Sequence, residues 1–525
     1  MSKSLSYGTD KKNREELLRR LSEFSDSTFS ADQGVAYHND PPNKISLPEG
    51  MTPEKGSAVL SDVAKALAQE EVFSRTFKFR PWDGAHALTQ VMAKHFGTTG
   101  RGKPIQTMFG SIPPQQIEIE VGPDQTVQVP WGHINFEQFE GTLMLGGQHD
   151  SEFGTLFQLS LECPKRYAAA VTGFFNLIQM ELESNSIYKG KSIRMAIDSR
   201  TGQRQEKFLK LTQNPTIVYT DEVNQGLTNT VWGVIENADL FKQDHRRVNK
   251  RTLLHGPYGT GKSEAGVKTA EVANKEGWTF IQFHSGKGTL EDLEATMATA
   301  RLYQPSVVFI EDIDVYAGKE GEEYQTRLSN LFDGVGSKGD EVMLVMTSNR
   351  AASFSKGMLR AGRVDRMIEV GPLDRAATEE LILRVVGKDR LGEPVNGTEV
   401  LTAEQAEKVQ ETEVDYAQVH EAMEGFEPAF VRQTFDQAAE AAIIRTKSLD
   451  YVLTTSDFVD AANLLRPQHD MHTNTAEQGK QVTFDSILER LVSSQLAKLQ
   501  LDVVLNDGDY EGMAHAREIT AGNGR

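Results

Sequence analysis

The sequence predicts an α/β P-loop fold: a parallel five-stranded sheet with helices on both faces, a small all-helical domain after it and an α+β domain before it. Three observations carry this expectation. Between residues 216 and 371, short apolar runs alternate with helical patterns, the mark of a parallel sheet covered on both faces. One strand-to-helix turn reads Gly256-Pro257-Tyr258-Gly259-Thr260-Gly261-Lys262-Ser263, which fits G-x-x-x-x-G-K-[ST]. A second buried strand ends in two adjacent acids, Glu311-Asp312.

The elements follow in order. At 525 residues the chain is too long for one core, and three or four units are expected. Residues 1–50 are polar, with one amphipathic helix expected near Lys12–Phe24. Thr52-Pro53 starts a helix that runs to about Glu71, with threonine as its cap and proline in its first turn. Within the α+β region, 51–215, alternation at Ile117–Val121 and Thr126–Val129 around Gly122-Pro123-Asp124 reads as a hairpin. Further strands are expected at 141–145, 155–161, 192–197 and 207–211, with a helix at 166–182; this region shows no catalytic motif. The five strands of the parallel sheet are expected at 252–255, 279–283, 307–310, 342–347 and 367–370. Residues 372–467 read as helical, and 468–525 as one amphipathic helix, Thr483–Leu501, with a polar tail.

Composition narrows the functional classes. A formal net charge of −19 disfavours a protein that coats DNA with its whole surface, although a local basic groove stays open. The single cysteine, Cys163, excludes an intrachain disulfide and points to a reducing compartment. No stretch has the apolar length to span a bilayer, and the N-terminus has no apolar signal region, so a cytoplasmic location without a membrane anchor is expected.

The glycine-rich turn carries the clearest chemistry. Glycines at 256, 259 and 261 let backbone N–H groups turn inward around phosphate oxygens, and the following helix adds its positive N-terminus, where Glu264 stands next after Ser263. Lys262 is placed to reach the β- and γ-phosphates of ATP, and Ser263 to ligate Mg²⁺. Triphosphate hydrolysis also needs an acid near the metal and one that orients or deprotonates water; Glu311 and Asp312 are the candidates. Asn349, at the end of the strand through Val342–Met346, could hold the attacking water or the γ-phosphate. Arg360, Arg363 and Arg366 recur at a spacing of three. The first two suit contact with a neighbouring subunit's nucleotide, the third an intrachain ion pair.

In this order, the P-loop, Phe309-Ile310-Glu311-Asp312-Ile313-Asp314, Thr347-Ser348-Asn349 and Leu359-Arg360-Ala361-Gly362-Arg363-Val364-Asp365-Arg366 resemble the AAA branch of the AAA+ ATPases over roughly residues 217–467. Leu328–Val335 and Gly425-Phe426 resemble further segments of that family. The resemblance implies Arg360 and Arg363 as arginine fingers, Asn349 as sensor 1, and Val218 and Tyr219 beside adenine. It also implies a six-membered or other homo-oligomeric ring with nucleotide at each interface. The order Glu311-Asp312 reverses the usual Asp-Glu and resembles the mitochondrial AAA translocase of the Rieske protein, whose membrane helix this chain lacks. After the second strand, Lys287 stands where ring unfoldases carry an aromatic residue, and no His-Glu-x-x-His occurs.

These features favour an ATP-driven remodeller of proteins, with the N-terminal region gripping a protein substrate or adaptor. A nucleic-acid motor using Lys287 and the basic cluster Arg246-Arg247, Lys250-Arg251 is the first alternative. A scaffold that binds ATP but scarcely hydrolyses it, because of the reversed acids, is the second.

Overall fold

The computed structural model describes residues 52–97, 105–108, 110–112, 115–197, 204–211, 218–285, 289–317, 327–328, 340–350, 363–385, 414–448, 451 and 453–477. The helices expected at Lys12–Phe24 and Thr483–Leu501, the Lys287 segment, most of Leu328–Val335 and Arg360 lie outside these residues. The chain divides into two compact units, 1–461 and 462–525.

Helix α1, Pro53–Ala68, begins as its sequence dictates: the Thr52 hydroxyl accepts from the Lys55 N–H at 3.5 Å, and proline occupies the first turn. Strand β1 (Glu70–Phe77) and helix α2 (Pro81–Phe96) follow. The two-stranded ribbon β2 (Ile105–Thr107) and β3 (Gly110–Ile112) comes next. The expected hairpin is β4 (Gln115–Gly122) and β5 (Gln125–Phe136), continued by β6 (Gly141–Asp150), β7 (Gly154–Pro164) and helix α3 (Ala168–Asn185). These strands form an antiparallel sheet in the order β1-β7-β6-β5-β4. Its core is aromatic: Phe77, Phe136, Phe139, Phe157 and Phe174 are fully buried, and the Phe96 and Phe174 rings meet edge to face at 5.5 Å.

Among the described residues the second sheet has seven strands, not the five expected. Its parallel centre contains β10 (Arg251–His255), β11 (Thr279–His284), β12 (Ser306–Glu311), β13 (Val342–Ser348) and β14 (Arg366–Glu369). The order is β14-β10-β13-β12-β11, extended by β8 (Ser192–Ile197) and β9 (Arg204–Phe208). β8 runs parallel to β11, with Ser192 opposite Phe280, and β9 returns antiparallel to β8. Both extra strands lie in the 51–215 region. Strands were expected at 192–197 and 207–211; the first is found there and the second three residues earlier, and a local pattern carries no information about which sheet they join.

Helix α4 (Asp221–Leu227) continues through a π turn at Thr228–Trp232. Helices α5 (Lys262–Lys275) and α6 (Leu290–Leu302) connect the central strands; α6 starts with a capping box between Thr289 and Asp292. Helices α7 (Arg375–Val385), α8 (Tyr416–Ala422) and α9 (Pro428–Thr446) follow. Helix α10 (Thr455–Glu477) runs into the second unit, where the described residues are 462–477. Among the described residues, no helix is long and apolar enough to cross a membrane.

The two sheets share one continuous apolar core, from Phe77 and Phe157 through Tyr303 to Ile281, Val308 and Leu344. A polar knot crosses the join. The Arg80 guanidinium pairs with Glu206 at 2.8 Å and donates to the Phe153 carbonyl at 2.7 Å, while its backbone N–H donates to the Tyr303 hydroxyl at 3.0 Å. One turn along α2, buried Asp83 accepts from the Ser186 hydroxyl at 2.6 Å and the Ile187 N–H at 3.0 Å. Loss of water pushes its carboxyl up to about 6 despite these donors.

Candidate functional site

The site is assembled at the C-terminal ends of β10, β12 and β13, where a parallel sheet presents its loops to a ligand. β12 is buried along its whole length, and so is β13, so the polar groups that follow them are held by rigid supports.

The loop after β10 has a backbone that only glycine adopts easily. Gly256, Gly259 and Gly261 have φ values of 153°, 81° and 88°. A β-carbon on Gly256 would stand 2.0 Å from the Val370 carbonyl oxygen, so any side chain there forces the loop off β14. Thr260 is buried and its hydroxyl donates to the Pro257 carbonyl at 3.0 Å. Tyr258 is half exposed on the outer side. Behind the loop, the Tyr219 hydroxyl donates to the Gly261 carbonyl at 2.7 Å, and burial raises its phenol well above the usual tyrosine range. Tyr219 and Val218 are both buried; the tyrosine braces the loop from behind. On the other side, the Ala429 N–H in the first turn of α9 donates to the Gly259 carbonyl at 3.2 Å.

Lys262 opens α5 and is buried. Its ammonium donates to the Gly256 carbonyl at 2.9 Å, to the Pro257 carbonyl, and to the Thr260 hydroxyl at 3.4 Å. Burial lowers it to about 8, against the opposing pull of Asp312, Asp314 and Glu427. Ser263 follows, exposed, with its hydroxyl donating to Glu311 at 3.2 Å; Glu264 is partly buried beside it.

The two acids are brought to different partners. Glu311 ends β12, nearly buried, and accepts from Ser263 and from the Gln282 carboxamide of β11. His284 lies 3.6 Å from it. Asp312 has left the strand in a left-handed conformation, φ 54°. Its N–H donates to the Thr347 hydroxyl at 3.1 Å, and its carboxylate accepts from the Asn349 side-chain amide at 2.8 Å. The Asn349 backbone N–H donates to Asp314 at 3.2 Å. Asn349 thus spans two acids, one with its side chain and one with its backbone.

Lys262, Ser263, Glu311, Asp312 and Asn349 therefore form one connected cluster with the loop. Arg363 lies three residues before the edge strand β14 and is partly buried. Gln282, His284, Thr347, Asp314 and Glu427 were not among the sequence candidates. Gln282 had a signal: it is the polar interruption in the run Phe280-Ile281-Gln282-Phe283.

A serine hydroxyl and carboxylates form an oxygen-only donor set, which fits Mg²⁺; that ion takes one or two carboxylates and completes its shell with water and phosphate. The loop, with three glycines of positive φ and a lysine on a helix N-terminus, fits a polyphosphate.

Residues 252–372 match the family described as "ATPase family associated with various cellular activities (AAA)". This chain carries an AAA ATPase domain. Among curated proteins, the chain is 31% identical over 247 residues to the ATP-dependent zinc metalloprotease FtsH 2 of Symbiobacterium thermophilum, covering 43% of this chain and 38% of that protein. It is 26% identical over 220 residues to the 26S proteasome regulatory subunit 4 homolog of Encephalitozoon cuniculi, covering 38% and 51%. It is 28% identical over 201 residues to the proteasome-activating nucleotidase 2 of Haloferax volcanii, covering 34% and 48%. The chain spans about half or less of the length of these relatives. The family match at residues 252–372 contains the loop, the acid pair and the asparagine described above.

Proposed function

We propose that this chain hydrolyses ATP with Mg²⁺ in a ring of like subunits and uses the cycle to remodel a protein or protein complex. The observation that carries the reading is the joined pair of contacts at the strand ends: Ser263 to Glu311, and Asn349 to Asp312. They separate a metal-side acid from a water-side acid within two successive residues.

Each residue then has a distinct task. Lys262 exchanges the loop carbonyls that now hold its ammonium for the β- and γ-phosphate oxygens. Ser263 and Glu311 would hold Mg²⁺, which when bound neutralises charge on the phosphates. Asp312 orients the attacking water and accepts its proton; Asn349 fixes the carboxylate that does so. Backbone N–H groups from Tyr258 to Ser263 cradle the phosphates, and the segment at Val218 and Tyr219 lies on the adenine side. Arg360 and Arg363 act on the nucleotide of the neighbouring subunit, where a rigid guanidinium fork stabilises charge on the transferring phosphoryl group.

A protein substrate is favoured by the relatives, two of which are named for the proteasome. The reversed acids set the chain near the Rieske-protein translocase subgroup within this branch. The antiparallel sheet of β1 and β4–β7, with α2 and α3, is the region we assign to substrate or adaptor. It shares its apolar core with the nucleotide-binding sheet, and the Arg80–Glu206 pair crosses the join.

The test is steady-state ATP turnover measured against protein concentration, with and without an unfolded protein. The expected outcome is turnover per chain that rises as subunits associate, is stimulated by the unfolded protein and is lost in Arg363→Ala. Turnover independent of concentration and intact in Arg363→Ala overturns the ring.

A further inference from the structure

The reversed acid pair puts the longer side chain, Glu311, on the metal side, where an extra methylene adds a rotatable bond. A carboxylate used to hold a cation must keep its direction, and freedom about that bond works against it. The structure shows what removes the freedom. β11 and β12 are parallel with Gln282 opposite Phe309 and His284 opposite Glu311. Alternation therefore puts Phe280, Gln282 and His284 on the same face as Val307, Phe309 and Glu311. The face is apolar at its start, where the rings of Phe280 and Phe309 lie 6.1 Å apart under α5. It turns polar at Gln282, beside the acid. The Gln282 amide donates to one oxygen of Glu311, while the other accepts from Ser263 at 3.2 Å. Both oxygens are thus pinned, one by β11 and one by α5, around a nearly buried carboxylate.

We infer that Gln282 is a positioning residue for Mg²⁺·nucleotide: it holds one oxygen of Glu311 so that the other is presented beside Ser263, and by doing so lets a glutamate serve on the metal side. The inference rests on the functional reading above and deepens it. Gln282 touches neither metal nor phosphate in this role; it acts through Glu311. An amide suits the task, because it donates to a carboxylate without adding a positive charge that would compete with the cation.

The experiment uses the full chain and a fluorescent ADP analogue, titrated with Mg²⁺ and separately without divalent metal, together with ATP turnover. Wild type, Gln282→Leu, Glu311→Asp and the double variant are compared. In Gln282→Leu, the Mg²⁺ concentration for half-maximal effect rises on the order of tenfold, the scale of one charge-assisted hydrogen bond (about 1.4 kcal/mol). Metal-free binding of the analogue stays at its wild-type value. In Glu311→Asp, adding Gln282→Leu has little further effect, because the shorter acid no longer reaches the amide. A wild-type Mg²⁺ curve in Gln282→Leu refutes the role, and so does an equal loss of metal-free binding, which marks general damage to the sheet. An undiminished effect of Gln282→Leu in the Glu311→Asp background refutes it too. Wild-type protein that binds the analogue with no response to Mg²⁺ sinks the functional reading itself, and this role with it; the two failures are therefore told apart.

Discussion

Replacing Asp83 by asparagine changes how stability responds to pH, and the sign is opposite to that of an ordinary carboxylate. Asp83 is buried at the join of the two sheets, faced by Ser186, Ile187, Tyr303 and Tyr188 and by the Arg80–Glu206 pair. Its carboxyl is raised from 3.8 to about 6. An acid raised on folding binds more protons in the native state, so its stabilising contribution is full below 3.8 and is lost as pH rises through about 6. Linkage between those two values gives about 2 kcal/mol of relative stability lost by wild type between roughly pH 4.5 and 7.5. The side chain is fully buried, so solvent screening does not reduce this figure. Urea unfolding of wild type and Asp83→Asn across this range measures it. The substitution itself shifts every Asp83→Asn value by a constant, since the new amide must be accommodated beside Ser186. The expected result is a difference that slopes with pH, wild type gaining on the variant as pH falls. Parallel stability curves for the two proteins would show that Asp83 ionises as freely in the fold as out of it, and the reasoning would fail.

Two further outcomes follow from the nucleotide loop and the acids. Tyr219→Phe removes the hydroxyl donated to Gly261 and is expected to weaken nucleotide binding by about fivefold, the scale of one net hydrogen bond of about 1 kcal/mol; calorimetric titration giving wild-type affinity refutes the brace. Restoring the commoner acid order with the double variant Glu311→Asp, Asp312→Glu is expected to lower turnover by about a hundredfold, as for a catalytic group displaced by about 1 Å, while nucleotide still binds; turnover at or above wild type in single-cycle kinetics refutes the account of the acid order given below.

Much of the central domain was legible because its signals are local. The glycine spacing set the loop, and apolar runs closed by polar residues set the five central strands to within a residue or two. The capping threonine at 52 was readable for the same reason. Part of what escaped is local: α1 ends at Ala68 and not near Glu71, and neither β1 (Glu70–Phe77) nor α2 (Pro81–Phe96) was expected. The rest is long-range. Ser192–Ile197 reads as a strand in any sheet, and only tertiary pairing with β11 adds it to the nucleotide-binding one. Gln282 and Thr347 act through neighbours on other strands, and single polar residues in apolar runs do not name their partners. Nor does anything near Asp83 in the sequence announce that Ser186 will lie against it.

The acid order is where local backbone and chemistry meet. Residue 312 adopts φ 54°, a conformation that costs most side chains about 1–2 kcal/mol and that aspartate and asparagine tolerate best, because a short polar group can bond close to its own backbone. Asp312 is held in it by two neighbouring side chains: its N–H donates to the Thr347 hydroxyl on β13, and its carboxylate accepts from the Asn349 amide just past the end of β13. A glutamate here would meet the same backbone with a longer, freer chain and would overreach Asn349. On the metal side the requirement is the reverse. Glu311 is still within β12 and must reach both Ser263 on α5 and Gln282 on β11. An aspartate would be a methylene short of spanning those two donors. The order Glu-Asp is therefore fitted to this site twice over: length where two elements must be bridged, and shortness where the chain turns left-handed. On this account the reversal is not a weakened copy of the usual pair, and the reading of the chain as a nucleotide-binding scaffold loses the observation that motivated it.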